Sequence, residues 1–225
     1  MAANYNFRFL DLITGLFAGL LIVSNLASTR IVDFGPLTFD AGTVIFPVTY
    51  IIGDLLTEVY GYARSRRIIW IAFFTLFLAF LCLYLVSLIP AKDPSQDAAW
   101  QAVMGLTPRI CLASLIAFAA GEFSNAIVLT RMKQKFPEKG LAIRFLGSTL
   151  VGQVLDTLIF VTIAFLGVLP KGTLIALIYS NYIYKVAMEV TLLPFTVYLA
   201  KMLKSKEKKV EPNETLSLNP FVWRL

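Results

Sequence analysis

The sequence predicts an all-α, polytopic membrane protein whose six transmembrane helices pack as one compact bundle. Three observations lead there. Of 225 residues, 58% are hydrophobic and only 15% charged, with mean hydropathy +0.75, more apolar surface than a soluble domain of this size can hide in its core. Apolar runs of about 20 residues recur, the length that crosses ~30 Å of hydrocarbon at ~1.5 Å per residue. Lysine and arginine gather in alternate loops, as they do in multi-pass proteins. Backbone polar groups in lipid must be paired inside the segment or around a closed barrel. Short alternating strands do not recur here, so helices are expected.

The elements follow in order. A first span covers roughly Phe9–Ala27; only Arg8 precedes it, no small-residue cleavage site follows it, and it reads as a retained span. Between Arg30 and Asp40, Gly35-Pro36 sits among β-prone residues, which predicts a short hairpin or re-entrant piece. The second span is Ala41–Tyr62 and the third Ile68–Ile89, the latter so uniformly apolar that it should face lipid. Pro90–Pro108 is polar, and Asp93-Pro94-Ser95 opens a short surface helix there. Spans four to six are Ile110–Arg131, Phe145–Leu169 and Leu174–Leu203. Residues 1–203 thus form one membrane domain. Residues 204–225, opening on Lys204-Ser205-Lys206-Glu207-Lys208-Lys209, form a basic tail expected to be mobile.

Charge orients the bundle. Arg8, the loops around Arg64–Arg67 and Arg131–Arg144, and Lys201 with the tail hold 15 of the 20 lysines and arginines. Arg30, Lys92, Arg109 and Lys171 lie on the opposite face. Both termini are therefore expected in the cytoplasm. The net charge of +6 is that collar, which meets anionic lipid and calls for no nucleic-acid partner. Histidine is absent and the two cysteines, Cys82 and Cys111, fall in apolar runs. No metal and no cofactor is expected from such a composition.

Six ionisable groups remain inside the spans: Asp54, Glu58, Glu122, Asp156, Lys185 and Glu189. Charged residues at a helix centre cost about 2.5–3.5 kcal/mol each on insertion scales, so they must face the bundle interior. Helical spacing agrees. Tyr50, Asp54, Thr57, Glu58 and Gly61 form one stripe, and Ser114, Gly121, Glu122 and Asn125 a second. Ser148, Thr149, Gly152, Gln153 and Asp156 form a third, and Asn181, Lys185 and Glu189 a fourth; Ser24, Asn25 and Ser28 join from the first span. Lys185 and Glu189, one turn apart, are the expected local pair, and Arg64 or Arg66 is within sequence reach of Glu58. Asp54, Glu122 and Asp156 have no evident cation. Carboxylates beside amides match a flat, hydrogen-bonding heterocycle, with Tyr50, Phe123, Phe160, Tyr182 or Tyr184 available to stack. An aspartyl protease would need a Gly-x-Gly-Asp motif where the chain has Ile51-Ile52-Gly53-Asp54. The protein is not expected to be an enzyme.

Several motifs carry a resemblance. Ser24-Asn25-Leu26-Ala27-Ser28 and the block from Phe46-Pro47-Val48-Thr49-Tyr50 through Gly53-Asp54 and Thr57-Glu58 to Gly61-Tyr62 closely resemble the queuosine precursor transporter family, also called vitamin uptake transporter-like. Gly121-Glu122-Phe123-Ser124-Asn125, Arg131-Met132-Lys133, Ser148-Thr149, Gly152-Gln153, Asp156-Thr157, Tyr184-Lys185, Glu189 and Pro194 continue it over about residues 20–204. The resemblance implies uptake of 7-deazaguanine bases, the precursors of a modified tRNA nucleoside, through a bacterial inner membrane. It also implies a fold similar to the substrate-binding subunits of energy-coupling-factor transporters. On that basis Asp54, Glu122 or Asp156 would take the donor edge of the base, and Asn25, Asn125 or Gln153 its carbonyl side. Tyr50 and Glu58 would line the site, while Lys185 and Glu189 would set charge or coupling. Two other readings keep the fold: a binding subunit that docks on an energy-coupling module, or on a second copy, through Gly15-x-x-x-Gly19, and a proton-coupled carrier of another small polar solute.

Overall fold

A computed structural model describes residues 7–35, 37–104, 107–136, 140–207 and 217–222. Helix α1 spans Leu10–Ala27. It buries Phe17, Leu21, Ser24 and Asn25 along one face and turns Leu12, Leu16 and Val23 outward. Its end feeds an antiparallel hairpin of β1 (Ile31–Phe34) and β2 (Leu37–Asp40), with Ile31 opposite Asp40. Gly35 makes the turn at φ 61°, a conformation costly to any residue with a Cβ. The hairpin expected between the first two spans is thus present; Pro36 lies outside the described residues.

The expected second span, Ala41–Tyr62, is not one helix. It is a 3-10 turn (Ala41–Val44), a ten-residue helix α2 (Phe46–Leu55) and a π-helical turn (Leu56–Tyr60). Asp40 caps the 3-10 turn, accepting from Thr43 N at 3.1 Å, and Pro47 sits in the first turn of α2, where its missing N–H costs nothing. Gly61, at φ 83°, ends the segment. Helix α3 (Tyr62–Ser87) follows at once, starting six residues before the expected Ile68. The short helix expected after Asp93 is α4 (Pro94–Met104). Asp93 accepts from Ser95 N at 2.9 Å, and those hydrogen bonds hold its carboxyl below the usual carboxylate range.

Helices α5 (Thr107–Lys135), α6 (Leu141–Phe165) and α7 (Lys171–Lys206) complete the bundle. Among the described residues, five helices are long and apolar enough to cross a membrane: α1, α3, α5, α6 and α7. The chain is an all-α polytopic membrane protein. Its long helices outrun the apolar runs of the sequence because turns bearing basic residues continue them, Tyr62–Arg67 at the start of α3, Met132–Lys135 at the end of α5 and Lys204–Lys206 at the end of α7.

Helices α5 and α6 come into tight contact at Gly121 and Gly152. A methyl group on Gly152 would lie 3.0 Å from the Gly121 carbonyl oxygen, so only glycine admits this backbone-to-backbone contact. One apolar cluster, including Phe17, Leu21, Leu56, Ile69, Leu76 and Leu129, packs α1, α3 and α5. A second, around Ala113, Ala117, Val161 and Leu177, packs α5, α6 and α7 toward their other ends. As its composition predicts, α3 presents Ile71, Phe74, Phe77, Leu78 and Leu81 outward.

Both ends of the bundle are tied. At one end Gly42 rests against Ser24 of α1 and Ser28 just after it, and Asn181 of α7 donates to Asp40 Oδ2 at 3.2 Å. At the other, Glu207 accepts from Arg8 N, Phe9 N and the Tyr60 hydroxyl. Residues 217–222 lie along α3: Arg66 donates to the Ser217 and Asn219 carbonyls, and Trp70 Nε1 to the Pro220 carbonyl at 2.8 Å. The part of the expected tail from residue 208 to 216 lies outside the described residues.

Candidate substrate site

The polar interior is built in three layers. The layer at the hairpin end holds Asp40, Thr43 and Asn181, joined side chain to side chain. Asn25 sits toward it on α1, donating to its own Leu21 carbonyl at 2.8 Å and leaving Oδ1 buried without a partner.

The middle layer is a ring of acids and amides. Asp54 of α2 accepts from Asn125 Nδ2 at 2.8 Å and more weakly from Thr149 Oγ1 at 3.4 Å, which ties α2, α5 and α6 at one carboxylate. The Glu122 carboxylate lies against the α2 backbone: a methyl group on Gly53 would be 2.5 Å from its Oε2. The Tyr50 hydroxyl lies at the Gly121–Asp156 seam, 2.5 Å from where a methyl on Gly121 would stand. It is within electrostatic reach of Asp54, Glu122, Asp156 and Glu189. Lys185 ion-pairs with Asp156 of α6 at 2.7 Å, both residues buried, and its ammonium stands 4.7 Å from the Phe46 ring centroid. This corrects the local Lys185–Glu189 pair expected from spacing, and it gives Asp156 the cation it was expected to lack. Thr149 also faces Glu189, although neither Glu189 oxygen has a partner in hydrogen-bonding geometry.

Glu58 belongs to the third layer, at the basic end. Its Oε1 meets Arg144 Nη2 at 2.8 Å, Lys204 Nζ, and Lys133 Nζ at 3.7 Å, while Lys133 also donates to the Glu58 carbonyl at 2.8 Å. Its partners are therefore these three and not the expected Arg64 or Arg66: Arg64 donates to the Tyr60 carbonyl, and Arg66 turns to the C-terminal segment. Arg144 belongs by sequence to the basic collar, yet it continues the α6 stripe by steps of four through Ser148 and Gly152. That spacing was the available signal. Asp40-x-x-Thr43, a capping spacing, was the corresponding signal in the outer layer.

Satisfaction of these groups is uneven. Tyr50 OH, Glu122 Oε1, Asn125 Oδ1, both amide atoms of Gln153, Thr157 Oγ1 and both Glu189 oxygens are buried with no protein hydrogen-bond partner. Buried polar atoms are normally paired, and this concentration sets the middle ring apart as the candidate site. A cleft of about 480 Å³ lies elsewhere, among α3, α4 and α5, lined by Phe77, Phe80, Tyr84, Met104 and Leu115. It has no acid, lysine or arginine in its lining. Volume and chemistry thus point to different places, and polar recognition requires the second.

Comparison with known proteins decides the family. The family described as putative vitamin uptake transporter matches residues 40–199, a stretch that includes the whole acid-and-amide ring but not Asn25. This chain belongs to that family. A probable queuosine precursor transporter of Bacillus subtilis (strain 168) is 31% identical over 189 residues, covering 83% of this chain and 82% of the relative. The queuosine precursor transporter of Escherichia coli (strain K12) is 32% identical over 125 residues, 55% of this chain and 54% of its own. A probable one from Haemophilus influenzae is 28% identical over 125 residues, 55% of this chain and 51% of its own. No solved structure matches the chain. As a member of a transporter family, the protein is a multi-pass membrane transporter.

Proposed function

We propose that this chain carries 7-deazaguanine bases, such as the cyano and aminomethyl forms, into the cytoplasm of a bacterium through its inner membrane. The observation that carries the reading is the middle ring, where a carboxylate already paired to an amide, Asp54 with Asn125, stands among unpartnered acid, amide and phenol groups. A guanine-like edge offers adjacent N–H donors beside a carbonyl acceptor. Asp54, Glu122 or Asp156 can accept from the first, and Asn125, Gln153 or Asn25 can donate to the second. The relatives' names point to the same substrate class.

Closure at both ends suits a carrier, with the Asp40–Thr43–Asn181 cluster as the outer door and the Glu58 cluster as the inner one. The segment from Ala41 to Tyr60 supports a sixth crossing. Gly42 packs at the C-terminal end of α1, whereas the Tyr60 ring meets Phe7, just before α1 begins, with centroids 5.1 Å apart. The segment therefore runs the length of α1 in the opposite sense. Six crossings leave both termini on the cytoplasmic side, where the positive collar belongs.

Expression in a bacterium that can neither make nor import the precursor, and has no energy-coupling module, tests the reading. Queuosine should reappear in tRNA when nanomolar deazaguanine is supplied. No gain over the empty vector would remove the stand-alone carrier. Singly replacing Asp54, Glu122 and Asp156 by their amides should lower uptake, and unchanged uptake in all three would remove the site. One observation favours a binding-subunit reading: Gly15 and Gly19 lie on an open face of α1, with nothing within 4 Å of a methyl on either. A helix of a coupling module, or of a second copy, can approach there. Uptake restored only together with such a module would favour that reading.

A further inference from the structure

Two of the four carboxylates in the middle ring are provided for, and two are not. Asp156 has the Lys185 ammonium at 2.7 Å, and Asp54 has Asn125 and Thr149. Glu122 Oε1 and both Glu189 oxygens are buried and unpartnered, on residues 1% and 0% exposed. Glu122 lies against Gly53 of α2, and Glu189 shares the buried face of α7 with Asn181 and Lys185. Lys185, the cation of the ring, is already engaged by Asp156 and the Phe46 ring. Independently, the Tyr50 hydroxyl and both ends of the Gln153 amide are buried without partners in the same interior; Gln153 shares the face of α6 that presents Thr149 and Asp156.

The neutral groups and one acid suffice for the flat edge of a base. A second uncompensated carboxylate then remains, and burial in a low-dielectric interior disfavours its charged form, which either a proton or an arriving positive charge relieves. We propose that the site takes its substrate as a cation, a heterocyclic base bearing a protonated amine, with Glu189 and Glu122 facing the ammonium. The aminomethyl base is then bound in preference to the cyano base, whose side arm is neutral. The inference rests on the deazaguanine reading above and sharpens it, since that reading alone treats the two bases alike.

Calorimetric titration of the purified protein with each base tests it. The aminomethyl form should bind ~10- to 100-fold more tightly, the size of one hydrogen bond to a charged group. Glu189→Gln or Glu122→Gln should narrow that ratio by about tenfold. Equal affinities in the unaltered protein, or a ratio that neither substitution moves, would overturn the proposal. N-acetylation of the aminomethyl base removes its charge without altering the protein, so it serves where a variant does not fold. The acetylated base should fall to the level of the cyano form, and undiminished affinity would count against the ammonium contact. If neither base binds, the deazaguanine reading itself fails, which is a different result from binding without preference.

Discussion

Without the Lys185 ammonium, the Asp156 carboxylate would sit buried at 3% exposure with no cation. Breaking a buried pair from one side costs about 3–5 kcal/mol, because the remaining charge is uncompensated. Lys185→Met and Asp156→Asn should each lower stability by that order, and the double variant by clearly less than the two together. Thermal and denaturant unfolding in detergent reads this directly, and strictly additive losses would mean that the two do not act as a pair. Gly53 makes a complementary case. Alanine there brings a methyl group to 2.5 Å from Glu122 Oε2, the free end of a flexible side chain, so Gly53→Ala should displace that carboxylate at small cost in stability and weaken substrate binding. Normal affinity in Gly53→Ala would show that the position of Glu122 does not matter to the ligand. Helical periodicity made these residues legible, since spacings of three and four fix a shared face. It could not give their partners. Lys185 and Glu189 are neighbours along one helix, but the packing of α6 on α7 brings Asp156 nearer to the ammonium, and that distance is nowhere in the spacing.

The stretch from Ala41 to Tyr62 shows what hydropathy cannot see. Its apolar content reads as one span, while its hydrogen-bond register changes twice, from 3-10 to α and from α to π. Pro47 and Gly61 bracket the change, yet neither residue type specifies a π turn. Such turns are rare and cluster at functional sites. Here the turn carries Glu58, which joins Arg144 of α6, Lys133 of α5 and Lys204 of α7. One carboxylate thus holds three helices at the basic end, and the turn's carbonyls at Glu58 and Tyr60 accept from Lys133 and Arg64. Glu58→Gln removes the charge that draws these cations together. Amides of residues 56–60 should then exchange with solvent at least about tenfold faster, the equivalent of losing one charge-assisted contact. Exchange unchanged from the parent would mean that this cluster does not latch the inner end.

At the scale of the whole molecule, the cation distribution and the geometry of α1 bear on the same question from different sides. A chain with 15 of its 20 lysines and arginines in alternate loops is oriented by where those loops stay during insertion, and that argument works only if the number of crossings between the loops is right. Among the described residues, five helices meet the ordinary criteria of length and apolarity, and an odd number would put the Arg64–Arg67 loop on the wrong side of the membrane from Arg8. The broken segment restores the parity, because it begins beside Ser24 and Ser28 at one end of α1 and finishes beside Phe7 at the other. Lipid need not solvate its irregular backbone: most of residues 46–60 are buried among neighbouring helices, the circumstance in which non-helical backbone is tolerated at membrane depth. Truncation fusions settle the matter. Alkaline phosphatase, active only outside the cytoplasm, should be active when joined after Gly35 and silent after Gly61, with green fluorescent protein giving the reverse pattern. If both junctions report the same side, the segment is a re-entrant piece, the bundle has five crossings, and the termini lie on opposite faces.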